Sequence, residues 1–239
     1  MVTQHPLVLE LGLPKVGTTA LAEYFRCNGW RTSHSVCQST GQQQTTCVEC
    51  MSEFMRRAAQ LGRGPSSDTA WRRGLPSDEF RKLCGPYDVF AELSLLTATA
   101  CFLPQVFYAR TLVAALPDAC FVLSTRDLDS WVHSVQSWSG HEHKYFRGAS
   151  LIDRFVDNCP LSPRNASGLK EFHRQHLRAA REALRDARCS VEVDLRKPAE
   201  EIGATLAATF NGTKPSCWRV VNSGAPRKHG GSAWRRPAS

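Results

Sequence analysis

The stretch that most constrains this chain is Pro14-Lys15-Val16-Gly17-Thr18-Thr19, which follows the apolar run Leu7-Val8-Leu9-Glu10-Leu11 and precedes residues with helical spacing. A strand, a short glycine turn and a helix, in that order, make a phosphate cradle. Backbone N–H groups and the positive end of the new helix converge on an anion, and Lys15 adds a mobile point charge. The turn departs from the Walker pattern, which closes in Gly-Lys-Ser/Thr: here the lysine comes two residues before Gly17, the sole glycine of the six. Kinases and GTPases built on that pattern fit the spacing poorly.

A second segment supplies a partner for such a cradle. Cys120 to Thr125 reads as a buried strand led in by the turn residues Pro117-Asp118, and Arg126 stands at its end. Asp127 or Asp129 is placed to cap a following helix on which Trp131, Val135 and Trp138 face the core. At ~100° per residue, Ser134 lies about 40° round that helix from Trp138 and about 60° from Trp131, so it can point elsewhere. Arginine suits a phosphate because its planar fork donates two parallel hydrogen bonds.

Together, PKVGTT and the Arg126–Ser134 pair, eight residues apart, resemble the sulfotransferases that use 3′-phosphoadenosine 5′-phosphosulfate as sulfuryl donor. The run YDVFAEL…PQ…PDACFVLSTRDLDSW looks like eukaryotic and algal sulfotransferase-like proteins in order and spacing. The resemblance implies that the loop from Pro14 onward binds the donor, with Lys15 against the 5′-phosphosulfate and Gly17, Thr18 and Thr19 holding its oxygens. Arg126 and Ser134 would grip the 3′-phosphate. Gly224 to Gly230 is similar to the family's closing basic loop, which puts Arg227 and Lys228 on the cofactor; a basic tail is the alternative. No metal is implied, since lysine and helix dipole supply the positive charge.

The resemblance offers two kinds of general base. Glycan-modifying members use a glutamate at the end of the strand before the arginine strand, and Glu92 has that place, although Leu93-Ser94-Leu95 stands where Lys-Ser-Pro usually follows. Cytosolic members use a histidine; His34, His133, His141 and His143 are available, with His133, beside Ser134, foremost. The acceptor would be a hydroxyl or amine, a carbohydrate among the candidates. A nucleotide-binding module without turnover and a P-loop small-molecule kinase are the competing functions.

Along the chain, strands are expected at Trp30 to Val36, Tyr87 to Leu93 and Cys189 to Leu195. Helices are expected at Met51 to Leu61, Gln105 to Leu116, Leu169 to Ala187 and Pro198 to Phe210. Cys37 to Cys50 and Gly62 to Asp78 read as irregular, the latter as an exposed loop suited to substrate contact. The alternation implies an α/β fold: one three-layer, P-loop NTPase-like domain over residues 1–239, a mostly parallel sheet flanked by helices, with about 225–239 a flexible basic tail.

The net charge of +8 suits an anionic ligand, and the absence of arginine–aromatic interleaving argues against nucleic acid. The longest uncharged stretch, Leu93 to Ala109, is 17 residues and contains Pro104, too short and broken to span a membrane. Taken literally the chain is cytoplasmic. Its 10 cysteines and the sequons at Asn165 and Asn211 would instead suit a Golgi-luminal catalytic domain whose anchor lies elsewhere. His34, Cys37, Cys47 and Cys50 have the look of a zinc site, with a disulfide or reduced thiols as the alternative, and Cys189 and Cys217 are candidates to pair.

Overall fold

The computed structural model of the protein describes residues 5–34, 37, 47–61, 75–96, 101–136 and 166–219. In chain order the first elements are β1 (Val8–Glu10), α1 (Thr18–Cys27), β2 (Thr32–Ser33), α2 (Val48–Leu61), α3 (Ser77–Cys84) and β3 (Val89–Phe90). A small antiparallel pair follows, β4 (Leu95–Leu96) with β5 (Cys101–Phe102). Then come α4 (Pro104–Phe107), α5 (Ala109–Ala115), β6 (Cys120–Thr125), α6 (Leu128–Gln136), α7 (Ala166–Leu184), β7 (Cys189–Asp194) and α8 (Ala199–Thr209). The five-stranded sheet runs β2-β3-β1-β6-β7 with every pairing parallel.

Side-chain alternation along the strands builds the three layers. Leu7, Leu9 and Leu11 point to one face with Phe90, Phe121 and Leu123, where Met51, Phe54, Phe80, Leu112 and Ala180 from α2, α3, α5 and α7 cover them. Val8, Val89 and Val122 point to the other, under Leu21, Phe25, Ile202 and Leu206 of α1 and α8. Apolar strands covered on both sides are the expected form of a parallel sheet. β1 lies between β3 and β6, with Val8 opposite both Val89 and Cys120. The chain therefore leaves β1 toward one side for β2 and β3 and returns on the other for β6 and β7. Ligands of such sheets bind at this reversal, beyond the strands' carboxyl ends.

Several local expectations change. Ser77 to Cys84 is a helix inside or just beyond the expected loop, because Phe80 and Cys84 bury completely against α2 while charged residues face out. The helix expected over Gln105 to Leu116 is two, since Tyr108 (φ −131°) ends α4 and starts α5. Among the described residues, the strand expected at Trp30 to Val36 is held to Thr32–Ser33, and α2 begins at Val48 rather than after Cys50.

Cysteine pairing also differs. Cys120, the first residue of β6, bonds to its register partner Cys189, the first of β7, so the expected Cys189–Cys217 pair does not form. Cys217 instead bonds to Cys27, the last residue of α1. Cys37 pairs with Cys47 and Cys50 with Cys84. The sulfurs of Cys37, Cys50 and Cys84 lie within 4.8 Å of one another, yet in these pairs they offer no thiolate to a metal. Among the described residues, no helix is long and apolar enough to cross a membrane.

Candidate active site

The turn that leaves β1 is fixed by its carbonyl oxygens. His176 on α7 donates from Nε2 to the Leu11 carbonyl at 2.8 Å, Gln105 on α4 from Nε2 to Gly12 at 3.4 Å, and Trp131 on α6 from Nε1 to Pro14 at 2.9 Å. The Val16 N–H reaches the Leu13 carbonyl at 3.4 Å, and Arg126 donates from Nη1 to the Lys15 carbonyl at 3.2 Å. Of five consecutive carbonyls, four thus face the scaffold and that of Leu13 closes the turn on itself. What the turn offers a ligand is its N–H edge and the first turn of α1, whose amides have no carbonyl one turn behind them.

Backbone conformation supports the same reading. Lys15 has φ 72° and Gly17, the N-cap of α1, φ 95°. The left-handed φ favours glycine at position 17, and a side chain there would also have to displace the tip of Leu195, 2.5 Å away. Lys15 tolerates an uncommon φ because the carbonyl contacts around it over-determine the turn.

His176 is buried on α7, and a carbonyl can only accept, so Nε2 carries the proton. Burial pulls this imidazole down to about 4, which keeps it neutral. Its neighbour His173 packs against Trp131, the same indole that anchors Pro14, with ring centroids 4.8 Å apart and the planes tilted by 48°.

Across the turn, Glu92 follows the carboxyl end of β3. Thr18 donates from Oγ1 to Glu92 Oε2 at 2.9 Å, and His34, just past β2, brings Nε2 to 3.2 Å from Thr18 Oγ1, 3.4 Å from Thr19 Oγ1 and 3.6 Å from Glu92 Oε2. Burial lowers the His34 pKa, with the Glu92 charge opposing the shift. A carboxylate and an imidazole therefore share one mouth with the two loop hydroxyls.

Of the residues singled out in the sequence, the structure brings together Lys15 with Arg126, and Glu92 with Thr18, Thr19 and His34. Asp127 caps α6 by accepting from the Ser130 N–H at 2.8 Å. Ser134 is half-buried on α6, whereas His133 is exposed there. His141, His143, Arg227 and Lys228 lie outside the described residues.

Sequence reasoning missed the anchors. Trp131 and His176 were legible only as core residues, because a helix face records burial and leaves the bonding of a ring nitrogen unspecified. Glu10 carried a clearer signal, a carboxylate inside the apolar run of a central strand. It is 1 % exposed and bonds to both Gly12 and Ser124.

A family model described as a sulfotransferase domain matches residues 7–202, from the residue before β1 into the first turn of α8. No curated protein matches the chain.

Proposed function

The chain belongs to the sulfotransferase domain family, and on that premise we propose that it moves a sulfuryl group from 3′-phosphoadenosine 5′-phosphosulfate to a hydroxyl, with a carbohydrate the favoured acceptor class. The observation that carries this reading is the meeting of Arg126 with the Lys15 carbonyl at 3.2 Å. It puts a guanidinium fork and a cradle of helix N–H groups at one crevice, as a ligand with phosphates at two ends requires.

The donor supplies the activated sulfuryl group, and the residues supply position and charge. Lys15, with Gly17, Thr18 and Thr19, neutralises charge building on the leaving phosphate. Pro14, locked through its carbonyl to Trp131, fixes the start of that loop. Arg126 and Ser134 hold the 3′-phosphate, and Arg227 and Lys228 close over it.

Glu92 takes the acceptor proton, and its hydrogen bond from Thr18 aims the carboxylate at the loop. His34, 3.6 Å from Glu92, is better sited than the exposed His133 to assist as the imidazole of this pair. No step in this scheme calls on a metal ion.

The 8 disulfide-bonded cysteines among the described residues favour an oxidising compartment such as the Golgi lumen over the cytoplasm. Asn211, exposed in the turn after α8, is an acceptor for N-glycosylation there.

Thermal denaturation with 3′-phosphoadenosine 5′-phosphate, set against ATP with magnesium, tests the donor. A ligand at 100 times its Kd adds about 2.7 kcal/mol. Stabilisation by the bisphosphate, followed by label transfer from sulfate donor to a glycan library, is the expected result. Stabilisation by magnesium-ATP alone would replace it with a kinase reading, and bisphosphate binding without transfer to glycans, phenols or alcohols with a binding module.

A further inference from the structure

The carboxyl group of Glu10 occupies the space that Gly12 leaves vacant. A Cβ on Gly12 would lie 2.4 Å from Glu10 Oε1, 2.7 Å from Val16 Cγ2 and 2.9 Å from the Ser124 carbonyl oxygen. Oε1 accepts from the Gly12 N–H at 2.8 Å and from the Ser124 N–H at 2.9 Å, and Oε2 is 3.2 Å from Ser124 Oγ. One buried side chain thus bridges the root of the turn and a point 114 residues later, two residues before Arg126.

We infer that Glu10 is a positioning residue that sets the spacing between the two anion clamps, the turn carrying Lys15 and the Arg126 end of β6. The inference rests on the donor-binding reading above. Packing supports it: the β1–β6 register runs as far as Glu10 and Val122, and the Glu10 side chain extends that alignment past the end of β1 to Ser124 within β6.

The protonation state follows from the surroundings. Burial pushes the carboxyl up to about 8, the bonds from Ser124 and Gly12 oppose this, and the Glu92 charge beyond β3 adds to it. The other ionisable groups around the turn are Lys15 on the turn itself, Arg126 from β6 and His176 from α7. In its neutral form the Glu10 O–H donates to Ser124 Oγ while Oε1 accepts both amides, so every bond is kept. Ionised, it places a negative charge beneath a turn that receives an anion.

Glutamine preserves the neutral pattern and cannot ionise. With the full chain, three measurements on Glu10→Gln and Glu10→Ala test the role: affinity for 3′-phosphoadenosine 5′-phosphate at pH 7 and pH 9, steady-state KM for donor and acceptor, and thermal stability against pH. We expect Glu10→Ala to weaken bisphosphate affinity about tenfold or more at pH 7, with donor KM raised and acceptor KM unchanged. Glu10→Gln should stay near wild type at pH 7 and lack the wild-type loss of affinity at pH 9.

The raised folded-state value means the Glu10 contribution to stability is fullest below about 4.5 and is lost as pH rises through about 8, and Glu10→Gln should remove that slope. A folded Glu10→Ala protein that binds like wild type would overturn the role, as would a Glu10→Gln pH profile identical to wild type. If Glu10→Ala fails to fold, the Glu10→Gln profiles decide. Wild-type protein that binds no bisphosphate sinks the donor reading and the clamp role with it. The stability profile still judges the buried bridge separately.

Discussion

Arg126 Nη1 donates to the carbonyl oxygen of Lys15 at 3.2 Å, joining residues 111 positions apart. Lys15 is also the one non-glycine residue with a positive φ, 72°, among the described residues. The bond that draws the guanidinium to the cradle therefore also steadies a backbone conformation that few side chains adopt. Binding geometry and backbone strain are coupled through one carbonyl.

Removing Arg126 should therefore cost affinity and leave the core intact. Arg126→Ala is expected to raise the bisphosphate Kd about 10- to 100-fold, the range for losing a charged hydrogen bond. Arg126→Lys should recover little, since an ammonium cannot reproduce the fork. Lys15→Ala should lower kcat about 10²- to 10³-fold with the melting temperature near wild type. Calorimetric titration and steady-state kinetics read both, and wild-type turnover in either mutant would refute the assigned roles.

The base assignment predicts a separation of effects. Glu92→Gln should reduce kcat by about 10²- to 10⁴-fold while bisphosphate affinity stays within about twofold. His34→Ala should give a smaller loss and a displaced pH–rate profile, and His133→Ala should leave turnover unchanged. Equal losses at His34 and His133 would argue against the paired carboxylate and imidazole.

The anchor at Leu11 makes the fold acid-sensitive. His176 is held at about 4 in the folded chain against 6.5 in the unfolded one, so its contribution is complete above about 6.5 and vanishes as pH falls through about 4. The loss is on the order of 3 kcal/mol. His176→Gln retains an N–H for the Leu11 carbonyl without the titration, and should flatten the acid limb of a melting-temperature curve.

The Cys27–Cys217 bond closes a loop with sequence separation 190. Replacing both residues by serine should cost about 2–5 kcal/mol of stability, measured by denaturant unfolding. Bisphosphate affinity of the folded fraction should not change, because neither residue touches the cradle in the contacts described.

The central sheet and the two proposed anion clamps were legible because each is a local pattern: a glycine turn behind an apolar strand, and an arginine at a strand end. Parallel pairing followed from the alternation of elements, which leaves the strand order open. The partnership of His34 with Glu92 was hidden because it depends on β2 lying beside β3, a neighbour relation between segments over fifty residues apart. α3 was hidden by its setting: a short helix with two buried apolar positions, Phe80 and Cys84, beside a Gly/Pro/Ser/Arg-rich stretch leaves almost no periodic signal. Cysteine pairing was misread because proximity in sequence said nothing of the β6–β7 register that sets Cys120 opposite Cys189.

Two of the covalent links sit at the pole of the domain away from the crevice. Cys120 and Cys189 open their strands, and Cys27 ends the helix whose other end forms the cradle. The molecule is riveted covalently at its base, whereas the turn at its mouth is held by hydrogen bonds. A preparation kept in dithiothreitol would consequently lose activity through slow collapse of the scaffold, on the timescale of denaturation, rather than at once as an enzyme with a catalytic disulfide would.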